Sequence, residues 1–336
     1  MEENARVVVQ MGTDPEVFIV ERATGRPVPA HRVGFNDKSR KSVAFGTAGL
    51  IFRDGYAVEI NTTVPYSCRA NLSMAIRILL REVISRVGPK YTISTVPTMK
   101  IKLPDDLMDA PADVLTFGCE PSLDAYAGQQ KPMLIDAMTH DERYIAGHLH
   151  FSTIPKYYPL EMSWLSSSEH QRNFIKLCDL FIGLPLTCLL HRPEQYQRRR
   201  WYGQAGEYRV QNYGREYCGL EYRTPGADVW NKSQISNMAL GIGRLLMRNY
   251  TNFMEKWDPA IEGRLQKAIN TGEGRFDLLQ VLEGFYSPDL IHFVAHNFNF
   301  FDLSLVRNSH DHHSGWYEWN QLYTPLRLVN IVKYYP

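Results

Sequence analysis

Five short segments carry residue types whose spacing suits chemistry. The first is Gly12-Thr13-Asp14-Pro15-Glu16. Alternate residues of a strand share a face, so Asp14 and Glu16 are expected side by side. Two carboxylates so placed repel unless a cation lies between them, and their oxygens suit a hard cation such as Mg2+. An exposed acidic pair at a strand start is the plainer alternative. The second is DGYAVEIN, Asp54 to Asn61, in which Glu59 falls inside an apolar strand pattern. A buried carboxylate is costly unless it is paired or metal-bound; a glutamate on a solvated strand face is the competing reading.

The third segment, Gly147-His148-Leu149-His150-Phe151-Ser152, sends two imidazoles to one side of a strand. Neutral histidine ligates metal and protonated histidine donates to phosphate. The small residues around the pair imply close approach of another group. The fourth is RRRWYGQAGEYR, Arg198 to Arg209. Guanidinium forks match phosphate oxygens bidentately, while RNA stacking or a solvated basic face would use the same residues. The fifth is GLEYRTP, in which Glu221 and Arg223 share a strand face. They form either a plain surface ion pair or a divided phosphate site, the acid holding metal and the base neutralising charge.

Together these dispersed acids, histidines and arginines match a Mg2+–nucleotide site assembled across a sheet. No G-x-x-x-x-G-K-[ST] loop and no glycine-rich kinase set occurs, so metals and arginines would have to hold the nucleotide. His310-Asp311-His312-His313 could bind a transition metal, but incidental histidines in a solvated loop explain it as well. Cys119 lacks the local signature of a nucleophile paired with histidine.

These residues need elements to position them. Val7–Val20 reads as a β-type run in which Val17 and Ile19 face one way, Phe18 and Val20 the other. A second β segment spans Leu50–Ile60, with Asp54-Gly55 as a hairpin turn. Leu72, Ile76, Leu79, Leu80 and Val83 set a helix over Cys68–Val87, closed by Gly88-Pro89. Tyr91–Met99 and Ala146–Thr153 read as strands, Ser163–Leu190 as one helix or two, Gln197–Pro225 as strand–turn–strand, and Asn231–Leu246 as helix. Asp105–Val114 reads as a loop or short helix. Hairpins with scattered helices, rather than a βαβ rhythm, predict an α+β fold with an antiparallel sheet.

The chain has 336 residues, 44% hydrophobic and 22% charged, with a net charge of +1. That predicts a soluble globular protein in which no global field recruits nucleic acid or an anionic membrane. No stretch reaches the ~20 apolar residues of a membrane span, and the N-terminus lacks the apolar stretch of an exported leader. The five cysteines are dispersed without a C-x-x-C, which predicts free buried thiols and a reducing cytoplasm.

GTDPEVF, DGYAVEIN, FGCEPSLDAY, AGHLHFS, RRRWYGQAGEYR and GLEYRTP, in that order, resemble the phage-encoded COOH–NH2 ligase family (type 2) of the glutamine synthetase and glutamate–cysteine ligase superfamily. The resemblance spans roughly residues 8–230. It implies a glutamine synthetase-like catalytic fold over residues 1–250, a curved, mainly antiparallel sheet with packed helices, and a mostly helical extension over 251–336 packed on it. It implies an ATP-dependent carboxylate–amine ligase that forms an amide or peptide bond through an acyl phosphate, with ATP and Mg2+ (or Mn2+) as cofactors. Asp14, Glu16, Glu59, His148 and Glu221 would be metal ligands. His150, Arg199 and Arg209 would bind the nucleotide, and Arg209, Arg223 and Arg200 would act in catalysis, with Glu120 and Asp124 as further candidate ligands. The motif's Asp-then-Glu departs from the Glu pair of the larger synthetases. Implied partners are small-molecule or peptide carboxylates and amines, with no membrane and no nucleic acid; an oligomer is compatible. The location would be cytoplasmic, in the host if the chain is phage-encoded. A catalytically inactive binding module on the same fold and a metal-dependent hydrolase using the H-x-H pair are the rival functions.

Overall fold

A computed structural model describes residues 9–282, apart from 39–41, 45–48, 63–64, 67, 116, 118–120, 133–134, 154–162, 213–217, 232 and 279–280. Glu120, Cys119 and His310–His313 therefore lie outside the described residues. The strands are β1 (Val9–Gly12), β2 (Glu16–Glu21), β3 (Pro27–Val28), β4 (Ser42–Ala44), β5 (Gly49–Asp54), β6 (Ala57–Asn61), β7 (Tyr91–Ser94), β8 (Thr98–Lys100), β9 (Ser122–Asp124), β10 (Gln130–Lys131), β11 (Glu142–Tyr144), β12 (Leu149–Thr153), β13 (Glu207–Asn212) and β14 (Cys218–Tyr222). The helices are α1 (Arg69–Val87), α2 (Ser168–Cys178), α3 (Leu184–Leu189), α4 (Pro193–Arg199), α5 (Ser233–Arg248), α6 (Tyr250–Met254) and α7 (Glu262–Thr271).

The fold is α+β, and every described strand pair is antiparallel. One sheet runs β1-β12-β14-β13-β9-β10, and a second runs β3-β2-β6-β5-β4 with β7 also on β2. β8 and β11 form a separate ribbon. The expected single run Val7–Val20 is broken at Thr13-Asp14-Pro15, because proline has no N–H for a ladder. β1 joins the first sheet and β2 the second. The break is itself tied down: the Pro15 carbonyl accepts from Ile60 N–H at 2.9 Å.

β2 is buried on both faces, as its two apolar sets predict. Val17 and Ile19 enter the main core, while Phe18 and Val20 enter a smaller one with Tyr56, Leu107 and Ile145. Each such side chain contributes roughly 1.5–3 kcal/mol of burial. In α1, Leu72, Ile76, Leu79 and Val83 are buried at their helical spacing. α5 lies against β1 and β12 and touches α1 and α2. There Gly243 admits the Phe151 ring, which a Cβ at residue 243 would meet at 2.1 Å.

Ser163–Leu190 folds as a 3-10 turn, α2, a π-helical turn at Asp179–Gly183, and α3. The triple arginine corrects the strand expectation for this stretch. Arg198 and Arg199 end helix α4, and the strand begins only at Glu207. Among the described cysteines, Cys178 and Cys188 are buried free thiols, whereas Cys68 is exposed. No described helix is long and apolar enough to cross a membrane.

Candidate functional site

Strand register builds the first half of the site. Gly12 stands opposite His150, His150 opposite Glu221, and Glu221 opposite Arg209. Directly opposed residues point to the same face of a sheet, so this row presents His150, Glu221 and Arg209 together. Asp14, two residues past Gly12, turns onto the same place. Its Oδ1 lies 3.0 Å from His148 Nδ1 and 3.1 Å from His150 Nε2. His148 Nδ1 also lies 3.2 Å from Glu221 Oε1. The H-x-H pair thus faces one acid from one side, as its spacing predicts.

Further contacts hold this cluster in place. Thr13 Oγ1 donates to the His148 carbonyl at 2.6 Å. The Tyr202 hydroxyl meets His148 Nε2 and accepts from Arg223 Nη2 at 2.9 Å. Arg209 grips Glu221 with two bonds of 3.0 and 2.9 Å. Gln211 donates to the same carboxylate, and Arg223 Nε lies 3.1 Å from it. The group that closely approaches the small residues is the chain's own backbone: a Cβ at Gly147 would meet the Gly226 carbonyl oxygen at 2.6 Å.

The second half forms on the other sheet. Glu16 stands opposite Glu59, so two carboxylates share one face. Asp54 pairs with Ala57 across the β5–β6 hairpin, and Ala57 shares the face of Glu59. Asp54 therefore joins them. Sequence reading took Asp54 only as a turn former; the hairpin parity was the signal that could have found it. Ala146 N–H donates to Glu16 Oε2 at 2.7 Å. Lys38 Nζ lies 3.1 Å from Asp54 and 3.3 Å from Glu59.

Two groups of potential cation ligands result: Asp14, His148, His150 and Glu221, and Glu16, Asp54 and Glu59. Within each, the ligand atoms all lie within 4.8 Å of one another. Asp14 and Glu16, expected as a same-face pair, belong to different groups because Pro15 separates the two strands.

The electrostatics of the two groups differ. Burial works against the Asp14 charge, but the His150 and His148 imidazoles outweigh it and hold the carboxyl well below its ordinary range. Glu221 behaves alike: burial raises it, and His148, His150 and Arg223 help to bring it down to about 2. Burial depresses His148, whereas the Asp14 carboxylate overcomes burial to raise His150. This group is largely charge-compensated. In the other, burial and then Asp54 push Glu16 up to about 8. Burial and then Asp14 push Glu59 well above its usual value. Three carboxylates face one ammonium there, a deficit of positive charge that a divalent cation would meet. The all-oxygen set fits Mg2+ or Mn2+; the mixed nitrogen and oxygen set fits Mn2+ better than Mg2+.

Not every expected residue arrives. Arg199 is buried and donates to Thr187 Oγ1 at 2.9 Å and to the Ile269 carbonyl at 2.6 Å. Arg200 is exposed at the end of α4. Neither joins the clusters, because helical periodicity fans consecutive arginines around an axis. Arg198, not singled out from sequence, bonds the Thr224 and Arg223 carbonyls at 2.9 Å each and braces the segment that follows β14. Asp124 Oδ1 accepts from Tyr126 and Ala127 N–H, closing a turn. Arg223 is buried, bonding Ser122 Oγ at 2.6 Å. Tyr202 and Ser122 were missed by sequence reading. Nothing in their immediate spacing marked them, since their role is set by where Arg223 lands.

Residues 125–284 match the model of a family described as phage phiEco32-like COOH.NH2 ligase-type 2. The likeness read from the motifs is shown over that segment, which takes in AGHLHFS, RRRWYGQAGEYR and GLEYRTP; GTDPEVF and DGYAVEIN precede it. No curated protein matches the chain. Among solved structures, one similar chain comes from the complex between prokaryotic ubiquitin-like protein Pup and its ligase PafA, with TM-score 0.47, 9% identity, 98% of this chain and 69% of that chain covered. Another is a bifunctional glutathione synthetase from Pasteurella multocida, with TM-score 0.45, 14% identity and 94% of this chain covered; the match spans 50% of that chain.

Proposed function

We propose that this chain is an ATP-dependent carboxylate–amine ligase of glutamine synthetase-like fold, acting on a small-molecule or peptide carboxylate and an amine. The observation that carries the reading is the convergence of Asp14, Glu16, Asp54, Glu59, His148, His150 and Glu221, drawn from distant segments, into two ligand groups linked through Pro15. The family match over residues 125–284 supports it.

Glu16, Asp54 and Glu59 would hold one Mg2+ or Mn2+, and Asp14, His148 and Glu221 a second. Bound there, these ions supply Lewis-acid neutralisation of the triphosphate. His150 and Arg209 are the more open members of their cluster, with side chains 15% and 25% exposed, and are positioned to meet phosphate oxygens. Arg223 acts through Glu221 and Tyr202, keeping the acid and His148 oriented. A substrate carboxylate attacks the γ-phosphoryl group, giving ADP and an acyl phosphate. The amine then displaces phosphate to form the amide. The buried Tyr202 helps to exclude water, which would hydrolyse the acyl phosphate.

The test incubates the purified protein with Mg-ATP and pooled carboxylates and amines. ADP release that requires both pools, with a product heavier by the amine less water, is expected. ADP release that ignores both pools indicates hydrolysis, and no nucleotide binding at millimolar concentration indicates an inactive module.

A further inference from the structure

Lys38 sits where a cation of the second group would sit. Its ammonium lies 3.1 Å from Asp54 and 3.3 Å from Glu59, while the side chain is 52% exposed. The approach is built rather than incidental. Arg53 N–H donates to the Asn36 carbonyl at 2.7 Å, and Arg53 Nη1 donates to the Phe35 carbonyl at 3.1 Å. Both bonds fix the chain just before Lys38 beside strand β5. The Lys38 ammonium also lies 5.6 Å over the Phe52 ring, and Phe52 stands opposite Glu59 in register. The half-exposed stem leaves the ammonium a route into water, whereas Glu16 and Glu59 are buried on their strands and Asp54 is only 20% exposed.

We propose that Lys38 is the resident counter-cation of Glu16, Asp54 and Glu59 and that it competes directly with the divalent ion for this site. The inference rests on the cation site proposed above. An ammonium at hydrogen-bond distance from two of the three acids and a divalent ion bound to the same acids cannot coexist, through overlap and repulsion alike. Cation loading therefore expels Lys38 from the cluster. Conversely, any anionic ligand that draws Lys38 outward favours cation entry, a coupling that is reciprocal by linkage. Until a cation arrives, the lysine keeps the buried acids from facing one another uncompensated.

The experiment titrates Mn2+ alone, without nucleotide, into wild type, Lys38→Met, Lys38→Arg and Asp54→Asn, read by calorimetry and by electron paramagnetic resonance of free Mn2+. Lys38→Met is expected to bind one Mn2+ at least tenfold more tightly than wild type. Lys38→Arg, which keeps the charge, is expected to stay within threefold of wild type, and Asp54→Asn to lose this binding. Unchanged or weaker Mn2+ binding in Lys38→Met, with Asp54→Asn still defective, overturns the competition and leaves the cation site standing. Mn2+ binding that is absent from every protein, or indifferent to Asp54→Asn, overturns the cation site and the competition together.

Discussion

Asp14 and Glu16 are two residues apart and electrically opposite: Asp14 is held by two imidazoles at 3.0 and 3.1 Å, while Glu16 stands across the ladder from another carboxylate, Glu59. Ionised Asp14 is a stabilised charge, whereas ionised Glu16 is a frustrated one. In chelator, Glu16→Gln is therefore expected to raise the melting temperature, by about 1–2 °C for about 1 kcal/mol of relief. Asp14→Asn is expected to lower it. Calorimetric melts of both variants check the signs; a shift in the same direction for both contradicts the two-cluster description.

Glu221 is fully buried under Arg209, Arg223, Gln211 and His148. Removing the carboxylate strands buried guanidinium charge, at about 3–5 kcal/mol. Glu221→Ala is expected to be both inactive and severely destabilised, and Glu221→Gln inactive with a smaller loss. Denaturant unfolding of both, alongside nucleotide turnover, separates the two effects.

The Tyr202 hydroxyl meets His148 Nε2 and accepts from Arg223, so it orients two groups of the proposed site at once. Tyr202→Phe keeps the ring and deletes the hydroxyl that orients both. Losses of this outer-shell kind run about 10–100-fold in cation affinity or turnover. A Mn2+ titration with unchanged far-UV circular dichroism identifies the effect as orientation rather than unfolding.

Asp179, in the π-helical turn, is fully buried, accepts from the Tyr222 hydroxyl at 2.7 Å and the Tyr126 hydroxyl at 3.0 Å, and is pushed up by burial to about 7. Its folded-state value lies above the unfolded one. The folded protein therefore binds the extra proton between about pH 4 and 7, and this group's contribution to stability is lost as pH rises through that window. The slope reaches about 1.4 kcal/mol per pH unit at most. Asp179→Asn is expected to remove this component, so wild type and variant diverge in their stability-against-pH curves over this range. Parallel curves contradict the assignment.

Much of this was legible in the residues. The alternation Val17/Ile19 against Phe18/Val20 foretold a strand buried on both faces. The H-x-H spacing foretold two imidazoles on one side, and Glu59 within an apolar run foretold a buried acid. What escaped depends on partners that sequence order does not reveal. Pro15 splits what reads as one strand, so the acid pair is divided between sheets. The arginine run ends a helix, so its spacing scatters side chains that a strand would have aligned. Asp54 looked like turn chemistry because its role follows from hairpin register, and Tyr202 and Ser122 matter only once Arg223 is buried beside them.

The central claim is that two cations bind side by side in the groups led by Asp14 and Glu16. Crystals grown with Mn2+ and a non-hydrolysable ATP analogue, with anomalous scattering recorded at the manganese edge, test it most directly. The account predicts two peaks, one within bonding distance of Glu16, Asp54 and Glu59 and one of Asp14, His148 and Glu221, both touching the triphosphate and with Lys38 displaced. Anomalous density elsewhere, or a triphosphate bound away from both groups, contradicts it.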